Sequence, residues 1–407
     1  MNADGVAPLA HEAERFGYVC CAADLTYGSA ALPSDLADAH GWAEADPAML
    51  GIAPVATLFP TARYRWRFPE GGIVRPTAFT QELLQFYAGI ATRDCPASVL
   101  VRLTDAVLAD SVLYARASTT PTIVYETYRS NDRHAVRRAS RADIDGADRA
   151  CFADPNWQCL FIGSAGSFNY GHWLVDDLPR LKAMATMRRL DARPVRVVIQ
   201  GYGSDIDRVR EESIRSLLGA ATHIDLLERD RAYHFAELYY PTPVSLHPVQ
   251  KLPPALDQAA HAALEQAIGG DPDPGSPTLL YVGRAAGYGR GIVNADMVAE
   301  MMRDYGFTTI DPDGMSFVDQ VRLFAGAQVV VGQMGAAMTN TMFCRPTTTL
   351  VYLAPTGWIE PFYWDLSVVR GHYYRVLFGK VTDDTVPPHR SDFTIDPDAL
   401  RDALDAL

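Results

Sequence analysis

The sequence predicts an α/β protein built on parallel sheets, and three features carry that prediction. From Trp157 onward, short apolar runs rich in β-branched residues alternate with helical stretches, the pattern of strands joined by crossover helices. The alternation resumes and becomes regular beyond Leu279. Between the two lies Gly269-Gly-Asp-Pro-Asp-Pro-Gly-Ser-Pro277, dense in residues that punctuate regular structure, and the domain boundary is placed there. With 407 residues and 48% hydrophobic content, the chain is long enough for two cores.

Residues 1–150 read as an irregular, strand-rich lead-in that belongs to the N-terminal domain, with apolar runs at Val99–Leu103, Val112–Tyr114 and Thr122–Glu126. Strand Cys159–Ile162 opens the segment 151–270, a Gly/Ser turn runs through Ser167, and a helical stretch covers Asn169–Leu190. Strand Val195–Ile199, helix Asp205–Leu218, strand Ala236–Tyr240 and helix Pro253–Ile268 follow. Residues 271–407 run strand Leu279–Val282, helix Ala295–Tyr305, strand Thr308–Ile310, helix Ser316–Gly326, strand Gln328–Val331, helix Gly335–Phe343 and strand Leu350–Leu353, a Rossmann-like doubly wound unit. Ser316 and Asp319 form a cap pair, with Val318, Val321, Leu323 and Phe324 on the inward stripe. Pro397–Leu407 is expected as a last amphipathic helix that packs back on the N-terminal domain.

The formal charge of -13 and a pI near 5.2 argue against a nucleic-acid partner, because phosphate backbones demand clustered Lys and Arg. The N-terminus has no basic stretch followed by an apolar run, and nowhere do about eighteen apolar residues occur together, so a cytoplasmic protein without a transmembrane segment is expected. Cysteines at 20, 21, 95, 151, 159 and 344 form no Cys-x-x-Cys pair and are expected as reduced core residues; the histidines show no paired metal spacing. The Asp-x-Asp triplets are too numerous to be metal sites and read as caps and turns, so no metal or other cofactor is expected.

Two constellations carry chemistry. Val329-Val-Val-Gly-Gln-Met-Gly-Ala-Ala-Met-Thr-Asn340 runs from a strand through small residues into a helix, a junction whose unpaired amides and dipole suit a nucleotide pyrophosphate. Asn169-Tyr-Gly-His-Trp-Leu-Val-Asp-Asp-Leu-Pro-Arg180 follows the 159–162 strand at the sheet edge where ligands bind in doubly wound folds. His172 and Asp176 lie four apart, so a helix puts a proton-accepting imidazole beside a carboxylate, and Pro179 is expected to kink that helix. Asp177 turns about 100° further round and is the weaker choice. Arg284 and Arg290 lie in the Gly-rich loop Gly283–Gly291, which suits phosphate recognition, and Trp358, Tyr363 and Trp364 are available for stacking.

With these residues in hand, the chain resembles glycosyltransferase family 61, whose bacterial members are often labelled capsular polysaccharide biosynthesis proteins. The likeness runs from about residue 157 to 355 and rests on Asn169–Asp176 with Leu178-Pro-Arg180, on Arg284 with Arg290–Asn294, on Ser316–Ala327 and on Gly332–Asn340. The resemblance implies a GT-B architecture, two Rossmann-like domains facing a cleft. It implies inverting, metal-independent transfer of a sugar from a nucleotide diphosphate donor to a hydroxyl of a glycan or small-molecule acceptor. Asp176 is then the expected base, with His172 orienting it or itself taking the proton. Arg284, Arg290, Asn294, Met334, Gly335, Ala336, Thr339 and Asn340 are expected on the donor, and Asn169, Tyr170, Trp173 and Arg180 on the acceptor or in structural support. The chain departs from the family where relatives carry His, here Met334, and Glu, here Tyr352 and Ala295. Those departures leave a non-catalytic sugar-nucleotide or glycan-binding protein of a polysaccharide or natural-product pathway as the alternative.

Overall fold

A computed structural model of the chain describes residues 17–19, 21, 46–65, 68–69, 71–115, 122–128, 139–245, 250–269, 275–283 and 290–407. In chain order these hold β1 (Gly17–Val19), β2 (Ile52–Phe59), β3 (Ala62–Arg65), β4 (Ile73–Val74), α1 (Ala78–Gly89), β5 (Thr92–Cys95), β6 (Ser98–Ala109), β7 (Val112–Ala115), β8 (Thr122–Val124) and α2 (Arg141–Asp145). Then come β9 (Gln158–Phe161), α3 (Ala183–Leu190), β10 (Val195–Gln200), α4 (Ser204–Leu218), β11 (His223–Leu227), β12 (Ala232–Pro241) and α5 (Pro253–Ile268). The last part holds β13 (Leu279–Val282), α6 (Ala295–Asp304), β14 (Thr308–Ile310), α7 (Phe317–Ala325), β15 (Val329–Gln333), β16 (Thr349–Pro355), α8 (Pro361–Arg370), β17 (Tyr373–Val381), β18 (Phe393–Thr394) and α9 (Pro397–Asp405). The fold is mixed α/β, as the alternation predicts.

The first sheet has the order β1-β8-β7-β6-β12-β9-β10-β11, with β2 on β6. Its β9, β10 and β11 are parallel, as crossover helices require, and β12 joins β9 in the same sense. Beyond β12 every pairing through β6, β7 and β8 is antiparallel, so the lead-in strands extend this sheet. The half is wound on one side only, where a doubly wound unit was expected. Leu160, Val197 and Ile199 meet α3 and α4, whereas Phe161, Val198 and Tyr240 lie in a separate cluster to which no described α-helix contributes. The reason is the tight return from β11 to β12 through Glu228–Arg231, which leaves no length for a covering helix.

The second sheet is doubly wound, with the order β14-β13-β15-β16-β17 all parallel and β18 antiparallel at the end. Strand faces alternate: Leu280, Val330, Leu350 and Val376 face α5, α7 and α8, while Tyr281, Val331, Val351 and Leu377 face α6 and α9. The chain leaves β13 to one side and returns to β15 on the other. Their carboxyl ends therefore flank the topological switch point, where open α/β sheets bind ligands. Ser316 caps α7 by accepting from Asp319 N at 3.1 Å, as its sequence predicts.

The two halves meet through a packed helical layer. α5 presents Ala255, Ala259, Ala260, Ala263 and Ala267 to the interior, and these small side chains let it sit between α4 and α7 within one continuous core. Residues 270–274 of the linker lie outside the described residues. α9 packs on the second sheet, where Leu400 and Leu404 join Leu377 and Phe393, and it meets residues 1–150 at β4. There β4 pairs parallel with β17, and Arg75 reaches Asp402 at 2.6 Å and Asp396 at 3.2 Å. Of the cysteines, Cys95, Cys159 and Cys344 are buried, Cys151 is exposed, and Cys20 lies outside the described residues.

Candidate functional site

The stretch after β9 does not form the single kinked helix expected. Asn169 accepts from Gly171 N at 2.9 Å and starts one turn over Tyr170–His172; a π turn follows over Trp173–Asp177, then a 3-10 turn over Leu178–Lys182, before α3. Pro179 has no N–H to donate and its ring crowds the carbonyl four residues back, so the ladder is re-spaced through a bond from Leu178 N to Trp173 O. The re-spacing turns two adjacent aspartates to different tasks.

Asp176, whose side chain is 2% exposed, receives His172 Nδ1 at 2.8 Å on Oδ2 and the Ser245 hydroxyl on Oδ1. His172 Nδ1 is committed to the carboxylate, and the imidazole side chain is 14% exposed. Asp176 is the more enclosed of the pair and both its oxygens are engaged, whereas His172 is the partly exposed member. Gly166 makes room for the ring, since a Cβ there would lie 2.8 Å from His172 Cγ. Asp177 is wholly buried, accepting from Ser167 Oγ at 2.6 Å and Arg180 Nη1 at 2.9 Å; burial pushes its carboxyl up, and Arg180 pulls it back.

Arg180 and Trp173, proposed for the acceptor or for support, are structural. Arg180 is buried, donates to Gly163 O at 3.0 Å and to Pro241 O at 2.8 Å, and lies 4.7 Å over the Tyr240 ring. Trp173 Nε1 donates to Ser213 Oγ at 2.9 Å, and Arg210 stacks 4.7 Å from its ring.

On the second half, Gly335 caps a 3-10 helix over Ala336–Phe343, where an α-helix was expected. Thr341 Oγ1 bonds Met338 O at 2.7 Å and Asn340 Nδ2 bonds Ala337 O at 3.1 Å, and these back-bonds compete with the regular ladder. The amides of Ala336 and Ala337 open this helix at the switch point, with no preceding turn to receive them. Gly332 lets β15 run beneath: a Cβ there would lie 2.9 Å from Val282 Cβ.

The remaining donor-side assignments need correction. Asn340 is fully buried, with Oδ1 accepting from Tyr170 OH at 2.8 Å and Nδ2 donating to Gln320 Oε1 at 2.7 Å, so it joins the halves and does not face a ligand. Thr339 is equally buried, its hydroxyl against Gly171. Asn294 clamps the backbone of Ile395 with both side-chain atoms, at 2.8 and 3.0 Å. The Met334 side chain is in the shared core, and only its backbone reaches the site. Arg290 remains: its Nη2 donates to Met334 O at 3.0 Å, its Nη1 to His389 O at 3.1 Å, and its guanidinium stacks 4.2 Å from Trp358. Arg284 lies outside the described residues. Trp364 stacks on Tyr87 at 4.2 Å and Tyr363 packs on Tyr352 at 5.1 Å, both in the core, whereas Trp358 is half-buried beside Arg290.

Sequence reasoning missed Ser245, Gln320, Lys251 and Glu360. Lys251 Nζ is buried against Asp365 Oδ2 at 2.9 Å and lies 4.0 Å over the Phe362 ring. Glu360 caps α8, accepting from Phe362 N at 2.9 Å, and burial pushes its carboxyl up against the pull of Lys251, Arg290 and His172. The Glu-Pro pair at 360–361 is a legible helix start. Nothing local marks Ser245 or Lys251.

Two surface cavities, about 310 Å³ near Trp157 and His223 and about 660 Å³ near Phe68 and Leu84, contain none of these residues. Among the described residues no three His, Cys, Asp or Glu side chains gather as a metal site, and no helix is long and apolar enough to cross a membrane.

No curated protein matches the sequence. The solved structure of the bacterial iron-containing dodecameric glycosyltransferase TibC from enterotoxigenic E.coli H10407 aligns at 10% identity and a TM-score of 0.24, over 66% of this chain and 79% of that one. At that score it carries no argument about the fold. Residues 170–351 match the model of the family described as Glycosyltransferase 61, a span that opens on Tyr170 and His172 and closes on β16 beyond Asn340, and the protein is a glycosyltransferase.

Proposed function

We propose that the protein is an inverting, metal-independent glycosyltransferase that moves a sugar from a nucleotide diphosphate donor to a hydroxyl of a glycan or small-molecule acceptor. The observation that carries this reading is the packing of the His172–Asp176–Ser245 chain against the helix that starts at the sheet switch point. His172 Nε2 takes the proton of the acceptor hydroxyl, Asp176 fixes the tautomer and stabilises the imidazolium, and Ser245 holds Asp176. The leaving diphosphate is met by the amides of Gly335 to Ala337 and by the charge of Arg290, which are in place before reaction and need no metal to supply the stabilisation. A base on one side and leaving-group stabilisers on the other suit a single in-line displacement, which inverts the anomeric centre. The two-domain reading, with acceptor on residues 151–270 and donor on 271–407, follows the same division of groups, and a cytoplasmic site of action fits a nucleotide-sugar donor.

Thermal-shift titration against a panel of nucleotide sugars and free nucleotides, with and without EDTA, tests the donor site. A ligand that binds only the folded state raises the Tm. An EDTA-insensitive shift with one donor is expected; a shift that EDTA abolishes contradicts the metal-free mechanism, and no shift with any nucleotide rejects the donor site.

A further inference from the structure

We infer that Glu360 holds the hydroxyl groups of the transferred sugar and so sets which sugar is accepted, an inference that rests on the glycosyltransferase reading above. Glu360 ends the loop that leaves β16 and caps α8 through one carboxylate oxygen only, Oε1, on Phe362 N. Among the described residues no hydrogen bond reaches Oε2, and that atom is not sealed in the interior, so it is within reach of solvent or a ligand.

The charges around it fix what it faces. Lys251, Arg290 and His172 act on this carboxyl from three separate segments of the chain. His172 stands on the side of the base and Arg290 on the side of the leaving diphosphate, and its own neighbour Phe362 has its ring centre 6.4 Å from the His172 imidazole. In an in-line displacement the group between base and leaving phosphate is the sugar. A carboxylate only accepts hydrogen bonds. It repels a diphosphate and suits donors, and sugar hydroxyls are the donors at that position. It also favours the positive charge that develops at the anomeric carbon as the leaving group departs. Trp358, two residues earlier and held flat by Arg290, offers a ring face to the same group. Burial that raises the carboxyl is a standing cost to the fold, of the kind found at sites kept for function.

Glu360→Gln isolates the effect, because the amide oxygen still receives Phe362 N–H and the helix cap survives. Isothermal titration with uridine, guanosine and thymidine diphosphates, and with the nucleotide sugars built on each, separates sugar from nucleotide. The expected result is an affinity for the nucleotide sugar reduced about 10-fold or more, roughly the loss of one charge-assisted hydrogen bond, with the matching free diphosphate bound as before. Equal weakening of both ligands overturns the inference, since Glu360 then serves the nucleotide or the fold, and unchanged affinity for both overturns it as well. Wild-type protein that binds neither ligand removes the donor site itself and the inference with it. That outcome is distinct from the first two, in which the wild type binds normally.

Discussion

The Tyr170 hydroxyl donates to Asn340 Oδ1 at 2.8 Å, and through this buried bond the segment carrying His172 is fixed to the helix that opens at the switch point. Gly171 and Thr339 are the adjoining pair; a Cβ on Gly171 would lie 2.7 Å from Thr339 Oγ1, so the two segments touch with no side chain between them. In the proposed mechanism this bond holds the base and the leaving-group stabilisers in one frame, and small errors of placement are costly to displacement chemistry.

Asn340→Ala strands the Tyr170 hydroxyl and the Gln320 carbonyl oxygen in the interior. Each unsatisfied group costs about 1–3 kcal/mol. Urea unfolding should show a lowered midpoint, and turnover should fall more than donor affinity. Tyr170→Phe, which strands only Asn340 Oδ1, should give the smaller loss; a larger one would reject the bridge.

The neighbouring aspartates should separate cleanly. Asp177→Ala leaves Arg180 charged and buried without its carboxylate and should destabilise by about 3–5 kcal/mol in chemical denaturation. Asp176→Asn keeps the shape but supplies an amide where His172 needs an acceptor, so kcat should fall by about two orders of magnitude or more at nearly unchanged Tm. Similar stability losses in both variants would contradict the division of roles.

Gly166→Ala pushes a methyl group to 2.8 Å from His172 Cγ and 3.0 Å from Nδ1. The ring must turn off Asp176, and kcat should drop about 10²-fold by the scale of general-base loss. Circular dichroism should remain native, and an active Gly166→Ala enzyme would show that the imidazole orientation is unimportant.

Glu360 gives a stability signature with a definite sign. Its carboxyl titrates above the value of 4.5 that it has when unfolded. As pH rises through that value the unfolded chain releases its proton first, the folded state binds more protons, and stability falls with pH until the folded group ionises too. Glu360→Gln removes this loss. The variant should melt higher than wild type at neutral pH, with the advantage shrinking as pH falls to about 4.5 and below, where both forms of Glu360 are protonated. A gain confined to acid pH would carry the wrong sign.

Much of this fold was legible because its signals are local. Apolar runs such as Val195–Ile199 and Val329–Val331 give strands, and Ser316 with Asp319 gives a cap. The His172–Asp176 pair was legible from a spacing of four residues and persists although Asp176 lies within the π turn. What was not legible depends on distant partners. Asn340 and Asn294 look like ligand groups in sequence, but Tyr170 and Ile395 occupy them, and Thr339 is buried against Gly171. Ser245, 69 residues beyond Asp176, has no local mark of its role. The one-sided winding of the first half was hidden because β12 reads as another crossover strand, when it returns through a short turn and pairs with β6.

The central claim is that His172, oriented by Asp176, removes the acceptor proton. Its most direct test is the rate of sugar transfer by His172→Ala against wild type, with the donor found in the binding screen held at saturation and EDTA present. The account predicts a fall in kcat of about 10²-fold or more while the donor Kd stays within about twofold. A variant that transfers at the wild-type rate with the donor bound normally would contradict it and move the base elsewhere in the site.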